Sequence, residues 1–157
     1  MNISKNISYI EATKSQTASR LGINNNPNDE QLYNMRLVAN MVFQPLREWY
    51  CKPIGISSFY RSEALNKAIG GSKMSQHMSL NGSAIDIDAD IYSNGITNME
   101  IFNFIKDNLD FDQLIMEGEN IDGTPAWIHV SYVNEKKNRK QCLKIVFKEG
   151  KAITTKI

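Results

Sequence analysis

Apolar positions in the first third of the chain recur at helical spacing, and those further along alternate. Leu32, Met35, Leu37, Val38, Met41, Val42 and Leu46 form a stripe fitting one face of a long helix, capped by Asn28 or Asp29. Pro45 falls inside the stripe and is expected to kink it. Upstream, Ser15 or Thr17 suits the cap of a short helical turn ending at Gly22, and Asn24-Asn25-Asn26-Pro27-Asn28 reads as a loop. Pro53 to Tyr60 reads as a first strand. Ser62 suits the cap of a short helix to Ile69, stopped by Gly70-Gly71-Ser72. Ser83 to Asp88 alternates as a half-buried strand does, and Asn98 to Asn108 reads as a helix with Ile101, Phe102 and Ile105 inward. Phe111 to Glu117, Ala126 to Val133 and Cys142 to Phe147 are further strands, and Ala152 to Lys156 suits an edge strand. A long helix followed by strands with two short helices between them predicts an α+β fold, with a mainly antiparallel sheet and flanking helices.

Composition narrows the class. The 157 residues, 41% of them hydrophobic, suit one domain over 1–157 with a real core, expected to act as a monomer. Lys plus Arg number 18 and Asp plus Glu 17, a net +1 that gives no bulk attraction to nucleic acid or membranes. Lys136, Lys137, Arg139 and Lys140 form a local basic cluster, read as a solvated turn between strands. Cys51 and Cys142 are too far apart for a metal spacing or a disulfide framework and are expected to be reduced, partly buried thiols. The start lacks the apolar run of a signal peptide, and nothing approaches a membrane span. Synthesis in the cytoplasm is expected, with delivery by other means if the protein acts outside.

The candidate chemistry lies in the two histidines, in SQHMSLNGSAIDID and PAWIHVSY. Two histidines and a carboxylate, with a fourth position free, form the ligand set of a catalytic zinc, whereas magnesium and calcium prefer all-oxygen shells. Strand alternation puts Ala84, Asp86, Asp88 and Asp90 on one face and Ile85 and Ile87 on the other. Trp127, His129 and Ser131 likewise share a face opposite Ile128 and Val130. Spacing alone leaves Asp86 and Asp88 both open as ligands.

These residues resemble the zinc D-Ala-D-Ala carboxypeptidase-like peptidases, in particular their phage and bacterial cell-wall branch. The family pattern is Ser-x-His, Gly-x-Ala-x-Asp and a later Trp-x-His. Here it is Ser75-Gln76-His77, Gly82-Ser83-Ala84-Ile85-Asp86 and Trp127-Ile128-His129. SSFYRSEALNKAIGG, FDQLIMEG and the opening SQTASRLGINN match as well, so the resemblance runs from about Ile10 to Phe147. It implies the small α+β fold shared with Hedgehog signalling domains, and zinc held by His77, Asp86 and His129. It also implies hydrolysis of peptide bonds in peptidoglycan stem peptides, as a D-Ala-D-Ala carboxypeptidase or endopeptidase. Arg61 matches the family's arginine near the substrate and oxyanion; its bland alternative is pairing with a nearby carboxylate. Ser75 is expected to orient the ligand loop and Trp127 to pack beside the site. The branch also suggests a phage-encoded enzyme, an endolysin acting on the wall after release or a component of the virion.

The chain departs from the family twice. Met78 to Asn81 makes the stretch between His77 and the aspartate two residues longer than the common form. Better-known members also carry a carboxylate three residues before the last histidine, as general base; that position is Ala126 here, which transfers no proton. Glu117 is the replacement candidate, with Glu119 and Asp122 behind it. If none serves, the alternative is a catalytically weak or inactive module on the same fold, binding a wall peptide or a protein.

Overall fold

The computed structural model describes residues 1–157. It opens with a short hairpin, β1 (Asn2–Ser4) and β2 (Ile7–Ser8), that the sequence pattern did not suggest. The strands are too short to show alternation, yet Ile3 and Ile7 are buried in the core. Helices α1 (Tyr9–Thr13) and α2 (Gln16–Leu21) follow; Ser15 caps α2, which ends at Gly22 in the left-handed region.

The long helix is three joined pieces. α3 (Asp29–Val38) starts from a capping box in which the Asn28 side chain and the Gln31 side chain each accept the other's backbone N–H. A π-helical turn, Ala39–Phe43, links it to α4 (Gln44–Tyr50). The Gln44 N–H reaches Ala39 O, five residues back. The expected disturbance at Pro45 therefore takes the form of a widened turn just before the ring. Leu32, Met35, Val38, Ala39, Val42, Phe43 and Leu46 are buried, whereas Met41, expected in the stripe, faces outward. Cys51, expected to be partly buried, is exposed at the end of α4; Cys142 is half-buried.

The remaining elements are β3 (Gly55–Ser58), α5 (Glu63–Ala68), β4 (Ser83–Asp88), α6 (Asn98–Asn108), β5 (Gln113–Glu117), β6 (Trp127–Tyr132), β7 (Gln141–Lys148) and β8 (Lys151–Lys156). The six-stranded sheet has the order β3-β4-β6-β5-β7-β8. It is mixed: β5 and β7 run parallel while the other neighbours are antiparallel. The parallel pair arises because β6 returns on the inner side of β5, so the chain must cross over to reach β7. No helix is long and apolar enough to cross a membrane.

One sheet face, with Ile85, Ile87, Leu114, Ile128 and Val130, packs with α3 and α6 into the core. Ile101 and Ile105 of α6 are fully buried there, each contributing about 2 kcal/mol. The opposite face carries Asp86, His129, Ile115 and Glu117, and no long helix covers it.

Candidate metal centre

The centre is built on β4 and β6. Asp86 and His129 are direct cross-strand partners, and Ile115 of β5 continues the row. His129 Nδ1 lies 2.8 Å from Asp86 Oδ1. Gly82 immediately precedes β4 at φ +72, where a Cβ would run into the Tyr132 carbonyl oxygen, so this tight entry requires glycine.

His77 comes from a different kind of element. It sits in a single 3-10 turn, Gln76–Met78, whose first N–H groups are capped by Ser75; the Ser75 hydroxyl accepts from His77 N–H at 3.3 Å. His77 Nδ1 is 2.6 Å from the Phe59 carbonyl and Nε2 is 3.1 Å from Asp86 Oδ1. A carbonyl can only accept, so Nδ1 carries a proton, which would leave Nε2 as the nitrogen that offers its lone pair to a bound metal.

His77, Asp86 and His129 thus offer three ligand atoms within 4.8 Å of one another. Tetrahedral zinc with bonds near 2.1 Å wants its ligands about 3.4 Å apart. The donor set and its spacing fit that ion with small side-chain adjustments.

The electrostatics follow from burial and contact. Burial alone would raise the Asp86 carboxyl, but the charge of His77 and hydrogen bonds from both imidazoles hold it well below the usual carboxylate range. Burial lowers His77, outweighing its attraction to Asp86. Burial acts the same way on His129, but the Asp86 hydrogen bond and charge, with Glu117 behind them, leave it raised.

Arg61 lies beside the group. Its Nε and Nη2 donate to Ser58 Oγ at 3.2 and 3.1 Å, and Nη2 reaches Asp86 Oδ2 at 3.4 Å. Its backbone N–H also bonds the His77 carbonyl at 3.0 Å. Asp86 therefore turns one oxygen to the imidazoles and the other to Arg61.

Asp88 is placed apart from the three. Its carboxylate caps the turn Ala89–Ile91 by accepting from Asp90 N–H at 3.0 Å, and it also accepts from Asn98 Nδ2 at 3.4 Å. Asp90, expected on the strand face, lies in that turn and is exposed.

Glu117 faces Trp127 across β5 and β6, two residues along from the row containing His129 and on the same face. Burial raises its carboxyl, and it feels the charges of His129, Asp86 and Arg61. The buried Trp127 indole N–H approaches this carboxylate without completing a hydrogen bond of ordinary geometry. Gly118 (φ +70) is pinned behind them, since a Cβ there would stand 2.8 Å from Ala126 Cβ and 3.1 Å from the Trp127 ring. Of the weaker candidates, Glu119 pairs with Lys144 at 2.8 Å and Asp122 accepts from Thr124.

Sequence reasoning missed the residues that hold the longer loop. Gln31 Nε2 donates to the Met78 carbonyl at 3.0 Å, while its Oε1 accepts from Tyr60 OH at 3.1 Å. Asn34 donates to the Ser79 carbonyl at 2.9 Å. From the other side Gln76 donates to Asp112 Oδ2 at 3.0 Å. Asp112 is 1% exposed and accepts from Arg139 backbone N–H, Nε and Nη2 as well. Burial would raise this carboxyl, but these donors hold it below its ordinary value. Gln31 thus both completes the capping box of α3 and holds the loop after His77.

No curated protein matches the chain. The family described as Peptidase M15 does, over residues 5–131, a stretch that contains all three residues of the His-Asp-His group. With that match across most of its length, the chain belongs to the Peptidase M15 family.

Proposed function

We propose that this chain is a zinc peptidase cleaving peptide bonds in bacterial cell-wall stem peptides, on one Hedgehog/DD-peptidase-type domain acting as a monomer. M15 peptidases are zinc-dependent. The observation that carries the reading is the convergence of His77 Nε2, Asp86 Oδ1 and His129 Nδ1 on one point, backed by the Phe59 carbonyl and Arg61.

Zinc held there would polarise a bound water and bring its pKa toward ~7. Glu117 is the base we assign; from the site face of β5 it would accept a proton from the attacking water. A carboxyl raised by burial is suited to accept a proton and pass it to the leaving amine. Arg61, held by Ser58 and Asp86, would present its guanidinium to the carbonyl oxygen as negative charge builds. Ser75 keeps His77 in place by capping its turn. The route to the wall that we favour is phage-borne, by lysis or in the virion.

Ala126, where better-known relatives keep their base, favours a second reading as a wall-peptide binding module. Two measurements decide. Metal analysis of purified protein is expected to give one zinc per chain, and well under one would overturn the metal site. Zinc-loaded protein on purified peptidoglycan is expected to release peptide fragments; binding without release would favour the module.

A further inference from the structure

We propose that a cationic pocket beside the His77 loop receives a carboxylate of the substrate peptide, making the enzyme selective for acidic over amidated stem peptides. This rests on the peptidase reading above and extends it to substrate class. The pocket is a cavity of about 660 Å³ between the loop around Ser75 and the turn that carries Lys137 and Arg139.

Its position suits a substrate subsite. Ser75 and Gln76, on its wall, immediately precede His77. Gln113, also on its wall, is two residues along β5 from Ile115, the cross-strand partner of His129. That is about 7 Å along the strand, or two residues of an extended peptide. Met78, Leu80 and Asn81 complete this side. They belong to the stretch that is two residues longer than the family's common form, so the added length builds a wall of the pocket.

Its charge selects the ligand. The charged residues lining it are Lys73, Lys137, Arg139 and Asp112, a sum of 3 − 1 = +2. The one carboxylate is consumed by three bonds from Arg139 and one from Gln76. Lys73 and Lys137 form no ion pair, although they approach from separate loops. Two unneutralised ammonium groups sharing a pocket repel each other until an anion enters. Of the basic cluster expected as a solvated turn, Lys140 pairs with Asp110 and Arg139 with Asp112, while Lys136 and Lys137 are exposed and Lys136 lies outside the pocket lining. Lys137 is the member left to face the cavity, where Lys73 joins it. The pocket on the Arg61 side of the centre differs, because Glu11 lines it together with Lys14 and Arg61.

The test compares one synthetic stem peptide bearing a free side-chain carboxylate with the same peptide amidated at that group. It uses zinc-loaded wild type and the Lys73→Gln/Lys137→Gln double variant. Both lysines are on the surface, so thermal unfolding should be unchanged. Wild type is expected to show a KM about tenfold lower for the acid, shrinking with added salt. The double variant should raise KM for the acid to that of the amide and leave kcat alone. Equal KM for the two peptides in wild type, or a preference that survives in the double variant, overturns the proposal. If neither peptide is cut, the peptidase reading fails separately, and the Kd of the two peptides then decides in the same way. Binding of glycerol phosphate with equal Kd for both peptides would overturn the peptide assignment in favour of a wall phosphate polymer.

Discussion

Asp86 of β4 and His129 of β6 face each other directly across an antiparallel pair, with His129 Nδ1 2.8 Å from Asp86 Oδ1. Backbone register sets this pair. A slip of β4 by one residue would carry Asp86 to the helix-covered face and put Ile85 or Ile87 opposite His129. His77 has no such guarantee. Its position depends on a turn held by Ser75, the Phe59 carbonyl, Gln31 and, through Gln76, Asp112.

Removing the shared carboxylate should abolish the site while sparing the sheet. Asp86→Ala is expected to reduce zinc affinity by more than about 100-fold, because it leaves two imidazoles and an uncompensated Arg61 facing the metal. Metal titration with a competing chelator measures this. Retention of tight zinc in the variant would return Asp88 to consideration as the ligand.

Arg61→Lys tests whether the guanidinium does more than carry charge. An ammonium cannot bridge Ser58 and Asp86 as the fork of Arg61 does. Zinc affinity should fall about tenfold, and kcat/KM on a wall peptide about 100-fold. Equal losses in the two would mean that Arg61 acts only by orienting Asp86.

Glu117→Gln keeps the shape of the side chain and removes the proton acceptor. We expect kcat to drop about 100- to 1,000-fold with zinc content unchanged. An intact rate would remove Glu117 as base and direct attention to Glu119 and Asp122.

Asp112 ties acid stability to the ligand loop. Its carboxyl is depressed by Arg139 and Gln76, so in acid the folded state binds fewer protons there than the unfolded state does. Its stabilisation is full above the ordinary carboxylate value near ~4 and is lost as pH falls through the depressed folded value. Asp112→Asn should cost about 2 kcal/mol at neutral pH and flatten the acid limb of stability against pH. Urea unfolding at several pH values gives both quantities. The same variant should also weaken zinc binding, since Gln76 loses the charged acceptor that holds the turn before His77.

Much of this protein was legible from local pattern. Alternation in Ser83 to Asp88 and Trp127 to Tyr132 identified which side chains share a face, because side-chain direction in a strand is a local property. Caps at Ser15, Asn28 and Ser62 were legible for the same reason: a cap bonds N–H groups only two or three residues away. Resemblance to the peptidase family's pattern, rather than spacing, pointed to His77, Asp86 and His129 as a set.

Other features needed the tertiary structure, because they depend on partners distant in sequence. The parallel pairing of β5 with β7 depends on where β6 inserts, which no local pattern records. Asp88 and Asp86 are equivalent to the pleat; only the packing of α6 engages Asp88 through Asn98 and leaves Asp86 to the histidines. Asp112 in sequence is one acidic residue among others; folding makes it the buried anchor of Arg139 and Gln76. The chain's own pattern thus specified which chemistry it could carry, and long-range packing decided which side chains were free to carry it.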